Sequence, residues 1–449
     1  MDTGSKLAIL ADSAKYDASC STSGSARETQ KGGMGNCAAS GICHSWSADG
    51  RCVSILKVLL SNACAWNCAY CVNRRSNDCP RASMDPEELV RLIMDFYRRN
   101  YIEGAFLSSA VLGGPDATME RMIAVAKTLR VRERFNGYLH LKVIPGASEE
   151  LVQEAARWAD RVSVNIELPS SASLATLAPD KNPAAIFKPM RVLARASGFE
   201  PRRIVHASQH SMAIGRSENT HPPAATQKTE TMPAPAQAQP GAPPVGPQQV
   251  DKALASYQEP VSVHEARKSR ARDPKAAILP AGQTTQMVIG ASPDTDLDIL
   301  SLAENLYLAY DVRRVYYSAF IPTGTDPLLP ALSGPRLVRE HRLYQADWLF
   351  RFYGYRADEI LDPLSPSLDA DLDPKCAWAL RHLGYFPVDV NRADYLELLR
   401  VPGIGPISAR RILQARKSAL LRTEQLGKLG VVMKRARWFL CCSGSSPNI

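Results

Sequence analysis

The chain of 449 residues contains no apolar run near the roughly 18 residues that a membrane-spanning helix needs. Its first stretch, Met1-Asp-Thr-Gly-Ser-Lys-Leu-Ala-Ile-Leu10, lacks a basic region followed by a long apolar one, so no secretory signal is expected. A reducing cytoplasm and no membrane partner are the resulting expectations. Aromatic residues are few, at 7%, and one segment almost lacks them: from His206 to Leu279 only Tyr257 occurs. Such a segment cannot bury enough apolar surface to offset the entropy of ordering it. Eight prolines between Pro222 and Pro247 point the same way, and a short helix near Gln248 to Arg272 is the one element expected within it. A second C-x2-C pair is also missing. Cys68 and Cys71 form the one pair, whereas structural zinc usually takes two.

A hydrophobic content of 45% is ordinary for a globular protein, and the length allows roughly two to four domains. The eleven cysteines are an odd number, and eight of them precede residue 80. That clustering favours metal over disulfides. The net charge of +9 is concentrated at one end. From Asp389 onward there are eleven Lys/Arg against four Asp/Glu, a balance of +7. A polyanionic partner for that end follows, against the alternative of a merely solvated basic face.

The stretch Cys64-Ala-Trp-Asn-Cys68-Ala-Tyr-Cys71 carries three cysteines at C-x3-C-x2-C spacing. It follows the apolar run Val53 to Asn62, which reads as a buried strand. Iron–sulfur cubanes are normally held by four thiolates, so three on one tight loop leave one iron open to another ligand. Cys20, Cys37, Cys43, His44, Cys52 and Cys79 leave a second metal site open, although their spacings match no defined motif.

Strand and helix patterns alternate beyond the loop. Strands are expected at Gly104–Leu112, Tyr138–Ile144, Arg161–Leu168, Thr284–Gly290 and Arg313–Ile321. Helices are expected from Asp85, over Ala117–Arg130, Glu149–Trp158, Asp294–Tyr310 and Val338–Tyr353. Such alternation implies βαβ units around a parallel sheet. Residues 1–52 read as loops and short elements. Tyr344, Trp348, Leu349 and Phe352 fall at helical spacing and are expected in the core. Ser163, Asn165 and Glu167 alternate with apolar neighbours on the fourth strand and share a face. His140 and Lys142 alternate in the same way on the third and are candidates to face substrate.

Near the end, Val390 to Leu413 looks like a helix-hairpin-helix: an apolar helix, the turn Pro402-Gly403-Ile404-Gly405, then a helix with Ala409 and Ile412 facing back. Glycines permit such a turn and leave helix N-terminal amides open to a phosphate. An echo lies 27 residues on, with Leu429-Gly430-Val431 matching Pro402-Gly403-Ile404 and Ala436 matching Ala409. Gly403, Gly405, Arg410, Arg411, Lys434 and Arg435, with Arg437, are the candidate duplex contacts. A protein-docking hairpin is the alternative.

The cysteine loop resembles that of the radical S-adenosylmethionine (radical SAM) enzymes. The resemblance implies a partial (β/α)6 barrel, in which loops at the strand C-termini form the site. It implies a [4Fe-4S] cluster on Cys64, Cys68 and Cys71, with S-adenosylmethionine chelating the open iron and yielding a 5′-deoxyadenosyl radical. It assigns Tyr70 to the adenine end of the cofactor and Gly113 and Gly114 to its methionine end. Asp116 does not stand where the family's acid stands. Ser163, Asn165 and Glu167 would contact ribose and carboxylate.

The order of motifs further resembles a group of radical SAM proteins assigned to DNA modification or repair. The carrying stretches include Ala14-Lys-Tyr-Asp17, Gly41-Ile-Cys-His-Ser-Trp46, Asn73-Arg74, Ala178-Pro-Asp-Lys181, Pro280-Ala-Gly-Gln283 and Arg339 to Trp348. The 206–279 segment departs from the pattern. That group implies a partner resembling uracil-DNA glycosylases and an electron donor such as flavodoxin or ferredoxin.

The expected organisation is a Cys-containing extension over 1–52 and a first barrel part over 53–205. A Pro/Ala-rich disordered insertion covers 206–279, and the rest of the barrel with its covering helices covers 280–388. A small all-α helix-hairpin-helix domain covers 389–442. The expected activity is radical chemistry on DNA. An RNA-modifying enzyme of the same chemistry, or a non-catalytic iron–sulfur adaptor on DNA, are the alternatives.

Overall fold

A computed structural model describes residues 1–14, 42–46, 52–199, 262–268, 278–322, 326–331, 334 and 336–442. The central element is a seven-stranded sheet whose strands follow chain order: β1 (Ile42–Trp46), β2 (Cys52–Leu59), β3 (Gly104–Ser108), β4 (Tyr138–Lys142), β5 (Arg161–Ser163), β6 (Gly282–Ile289) and β7 (Val312–Ala319). β1 is antiparallel to β2, and β2 to β7 run parallel. Parallel neighbours need a crossover, and helices provide it. These are α2 (Pro86–Arg98), α3 (Pro115–Val131), α4 (Glu149–Trp158), α5 (Ser171–Leu177), α6 (Pro183–Ala196) and α8 (Asp296–Ala309). β3 to β6 are largely buried on both faces, as helix-covered parallel strands are. This is an α/β fold with the parallel sheet that a partial barrel requires.

Local chemistry sets several boundaries. Pro86 opens α2, and Glu87 and Glu88 sit at its positive end. Thr295 and Asp298 form a reciprocal capping box that starts α8.

Three expectations need correction. The N-terminal part, read as loops and short elements, includes a full helix of 12 residues. α1 (Thr3–Ala14) packs on β2, and β1 joins the sheet. Five residues without alternation do not announce a strand; pairing with β2 makes one. Two helices, α5 and α6, occupy the stretch after Pro169 where no element was read. The fourth expected strand stops at Ser163, and farther on Glu167 takes a left-handed φ of 68°. Thr285 Oγ1 accepts the Ile166 N–H at 3.1 Å where a ladder carbonyl would stand. The sheet resumes as a single bridge between Glu167 and Met287. Within residues 262–268 of the 206–279 segment lies a short helix in the range where one was expected, α7 (Val263–Lys268), docked on α9 (Leu337–Tyr353). Val263 and His264 are buried there. The rest of the insertion up to Ala277 lies outside the described residues. Among the described residues no helix is long and apolar enough to cross a membrane.

α9 is bound to the barrel through a buried polar cluster. Asp347 is wholly buried and accepts from Arg351 Nε at 2.8 Å and from the Tyr307 hydroxyl. Tyr307 Oη in turn accepts the Val315 N–H at 3.1 Å, joining α8, α9 and β7.

The C-terminal part follows α10 (Ala357–Ile360) and α11 (Pro374–Arg381). It comprises β8 (Val388–Asp389), α12 (Tyr395–Arg400), α13 (Pro406–Ala415), α14 (Thr423–Leu426), α15 (Met433–Ala436) and β9 (Leu440–Cys441), with β8 and β9 paired in parallel. It is bolted to the covering helices. The Arg400 guanidinium lies 3.8 Å over the Tyr355 ring and bonds Glu359 at 3.0 Å. Lys375 donates to the Ile404 carbonyl at 2.5 Å, and burial pulls its ammonium down to about 7.

Asp347→Ala strips Arg351 of its buried counter-charge and leaves Tyr307 without its acceptor. A loss of about 3–5 kcal/mol is expected, read as a lower denaturation midpoint with unchanged slope.

Candidate active site at the strand ends

β2 ends at Leu59, and the chain then runs as an irregular loop through the three cysteines. A loop this deep carries main-chain carbonyls that must find donors. Arg81 supplies them. Its Nη1 donates to the carbonyls of Asn62 at 2.6 Å and Asn73 at 2.8 Å, and its Nη2 to those of Arg74 at 2.7 Å and Asn77 at 2.9 Å. Asn62 adds a second clasp. Its side chain donates to the Pro80 carbonyl at 2.9 Å and to Ser13 Oγ at 3.0 Å, and accepts from the Ala82 N–H at 2.8 Å.

The far side of the loop is held by the segment after α5. The Ala69 N–H donates to the Leu177 carbonyl at 2.7 Å, and the Asn67 N–H donates to Asp180 Oδ2 at 2.7 Å. This contact brings Lys181 beside the thiols. Its ammonium lies 3.4 Å from Glu167 Oε1, 3.3 Å from Tyr70 Oη, and 5.7 Å from the Trp66 ring centroid. Lys142 Nζ is 3.9 Å from the same Glu167 oxygen.

These groups surround a cavity of about 200 Å³ lined by the three cysteines, Tyr70, Asn73, Lys142, Glu167, Lys181 and Gln286, with Ser108–Val111 and Ser318–Ile321 at the ends of β3 and β7. Burial pushes the Cys71 thiol up to about 12, against a pull from the Asn73 N–H. Burial likewise raises Cys68. For Lys181 burial acts downward, but Glu167 and the neighbouring sulfurs outweigh it and hold the ammonium above its ordinary value.

Three cysteine side chains line one cavity, the donor type that iron–sulfur clusters take. Among the described residues no three His, Cys, Asp or Glu side chains converge on one metal position. Asn73 Oδ1 is buried in the cavity wall without a hydrogen-bond partner, so the space is built for a polar occupant.

The other expected residues fall variously. Tyr70 and Glu167 line the cavity. Asn165 does not, but its Nδ2 donates to Gln286 Oε1 at 3.2 Å, one step behind the wall. Ser163 is buried outside the lining, and its hydroxyl has no partner. Gly113 and Gly114 have φ of 74° and 101° and lead into α3, but neither lines this cavity. Gly113 faces a shallow hollow behind the loop with Cys64, Arg75 and Arg81. Asp116 is taken up by the Ser148 N–H at 2.7 Å. Lys142 lines the cavity, whereas His140 packs edge-on against Phe106 at 4.4 Å. Cys79 Sγ lies 3.7 Å from the Val72 carbonyl. Cys20 and Cys37, and the side chains of Cys43, His44 and Cys52, lie outside the described residues.

Sequence reasoning missed Lys181, Gln286 and Arg81 as functional positions. Lys181 stood in a quoted stretch but carried no chemistry until Asp180 met the loop. Gln286 shares β6 with Gln283, Thr284 and Thr285, so nothing in the sequence set it apart. Nothing marked Arg81 either.

Residues 58–206 match the model of the Radical SAM superfamily. The match runs from the end of β2 to residue 206, about a third of the chain, and enzymes of that superfamily use a [4Fe-4S] cluster and S-adenosylmethionine. No curated protein matches the chain. Among solved structures, it is similar to HydG, a maturase of the [FeFe]-hydrogenase, with TM-score 0.36 and 11% identity over 65% of this chain and 48% of that one. It is also similar to OxsB, a cobalamin-dependent S-adenosylmethionine radical enzyme, with aqua-cobalamin bound, at TM-score 0.25 and 15% identity over 32% and 22%. The chain thus spans about half the length of the first and a fifth of the second. Neither likeness is close enough to transfer a residue role.

Arg81→Ala removes four carbonyl partners at once. Faster amide exchange across 62–77 and a several-fold drop in iron bound on anaerobic reconstitution are expected, with the far-UV spectrum unchanged. Arg81→Lys, which lacks the planar fork, restores neither.

Proposed function

We propose that this protein is a radical SAM enzyme acting on nucleic acid, with duplex DNA as the partner of its C-terminal module. The cavity at the strand ends, lined by the three cysteines together with Lys181, Glu167 and Asn73, supports the first half. When bound, the cluster and S-adenosylmethionine supply a 5′-deoxyadenosyl radical for hydrogen abstraction. The chain's own groups bind and orient. Cys64, Cys68 and Cys71 hold the cluster. Glu167 and Lys181, of opposite charge and locked together, match the amino and carboxylate ends of a zwitterionic ligand. Tyr70 offers an aromatic face beside them, and Val111, Ile144, Val288 and Phe320 keep the cavity apolar elsewhere, which limits water near a reactive centre.

The second half rests on the module read as paired helix-hairpin-helix units. α12 and α13 flank one glycine turn, and the second lies 27 residues on. Gly403 and Gly430 have φ of 88° and 90°, and Ala409 and Ala436 are both fully buried. The turns bond to each other: the Val432 N–H donates to the Gly403 carbonyl at 2.9 Å, and Ser408 Oγ to the Gly430 carbonyl at 2.8 Å. A Cβ on Gly403 would sit 2.6 Å from the Val432 carbonyl, so that glycine is needed for packing as well as for its turn. Arg410, Arg411, Lys434 and Arg435 are exposed, and Arg435 bonds Asp373 at 3.1 Å. Such a face positions a duplex by its phosphates without reading sequence. Reaching an atom inside the duplex then requires an extruded nucleotide.

Reconstituted anaerobically with reductant and S-adenosylmethionine, the protein is expected to form 5′-deoxyadenosine, and the Cys64→Ala/Cys68→Ala/Cys71→Ala variant is not. No product under any condition removes the enzymatic reading. Arg410→Ala, Arg411→Ala and Lys434→Ala are each expected to weaken duplex binding and to lower the slope of log K against log salt by about 1. A slope unchanged across all three removes the DNA reading.

A further inference from the structure

Trp348 was expected in the core and is not there. Its neighbours on α9, Asp347, Leu349 and Phe350, are buried, yet its own side chain is 50% exposed. A half-exposed indole on a covering helix forgoes much of the stabilisation that burying so large an apolar side chain supplies. The ring is nonetheless held still. Phe352 packs against it at 4.4 Å between centroids, and the Arg351 guanidinium lies 5.6 Å from its ring centroid. A fixed, open aromatic face is a preformed contact surface.

That face lines a groove of about 580 Å³ between the barrel's covering helix and the turns of the C-terminal module. The groove also takes in the backbone of Gly403–Gly405, the exposed Ile407 and Val432, and the cations Arg411, Arg435 and Lys375. Its one acid, Asp373, is already paired with Arg435. Lys375 is 92% buried and spends one donor on the Ile404 carbonyl, at the tip of the first turn. The lining therefore combines apolar and aromatic surface with excess positive charge. A polyanion that also carries flat apolar faces matches both.

We propose that Trp348 is a stacking platform for an unpaired nucleobase, set beside turns that hold the adjoining phosphates. The inference rests on the nucleic-acid reading of the module and names what that module receives. A paired base has both faces covered by its neighbours, so a free face belongs to an extruded, terminal or single-stranded base. Stacking on an aromatic is tolerant of base identity and contributes about 1–3 kcal/mol per base. The groove is fixed relative to the barrel, because Arg400, Tyr355 and Lys375 clamp the module to the covering helices. A base held there marks where the duplex has been opened.

The test compares Kd for a blunt duplex and for the same duplex with a single-stranded tail, using the full chain with its cluster. The wild type is expected to favour the tailed duplex. Trp348→Ala is expected to lose about tenfold on the tailed duplex, equivalent to ~1.4 kcal/mol, and little on the blunt one. Its salt slope should not change, because no phosphate contact is removed, and Trp348→Phe should keep most of the preference. Thermal unfolding checks that the variant is folded. Equal tailed-duplex affinity for wild type and Trp348→Ala overturns the platform and leaves the duplex reading intact, provided Arg410→Ala still lowers the salt slope. A wild type that binds neither DNA overturns the nucleic-acid reading itself and leaves the groove a protein-docking surface.

Discussion

The arrangement at the barrel mouth depends on one guanidinium. Three thiols can face a common space only if the backbone between them is irregular, and irregular backbone in a protected place strands carbonyls. Arg81 takes four of them with a planar fork that no other side chain has. With the near side of the loop closed, its far side is free to be read by the segment after α5. Asp180 and the Leu177 carbonyl bond the loop, and Lys181 arrives as a consequence. The Lys181–Glu167 pair then draws in the distorted end of β5. The left-handed backbone at Glu167 is thus part of the same construction. It turns a carboxylate from the sheet into the cavity, a place where backbone strain is tolerated because the surroundings over-determine it.

A second constraint fixes the C-terminal module. Flexible tethering would leave its turns free to roam, but here Arg400 stacks on Tyr355 and Lys375 is buried against Ile404. A buried ammonium is costly, and burial pulls it toward neutrality at about 7. Its retention at this seam couples the first glycine turn to α11. The two glycine turns are equally tied to one another, since each offers a carbonyl to the other unit. Barrel, covering helices and module therefore act as one body among the described residues.

Much of this was legible beforehand, for reasons that differ by element. The parallel strands β2, β3, β4, β6 and β7 are short stretches rich in β-branched, aromatic and apolar residues with helices between them, and that pattern has few solutions. The cysteine spacing is local, so its chemistry is visible without coordinates. The 27-residue echo was visible because glycine at a left-handed position and alanine at a helix contact have no substitutes. By contrast, β1 is a strand only because β2 is beside it. Trp348 obeys helical periodicity, and periodicity reports the direction of a side chain, not whether anything covers it. Ser163, Asn165 and Glu167 alternate perfectly, yet one lines the cavity, one supports it through Gln286 and one is simply buried. Alternation assigns a face only while the strand stays pleated.

By itself, then, the sequence determined the element types, the thiol loop and the charge imbalance, because each is encoded within a few residues or in composition. Only the tertiary structure decided which polar groups share the cavity. Lys181, Glu167, Lys142 and Gln286 come from four separate stretches spanning more than a hundred residues, and their meeting is set by packing and by where buried carbonyls find donors. Contacts at that separation leave no periodic trace in the chain. They arise when every backbone group of an irregular loop has to be satisfied at once.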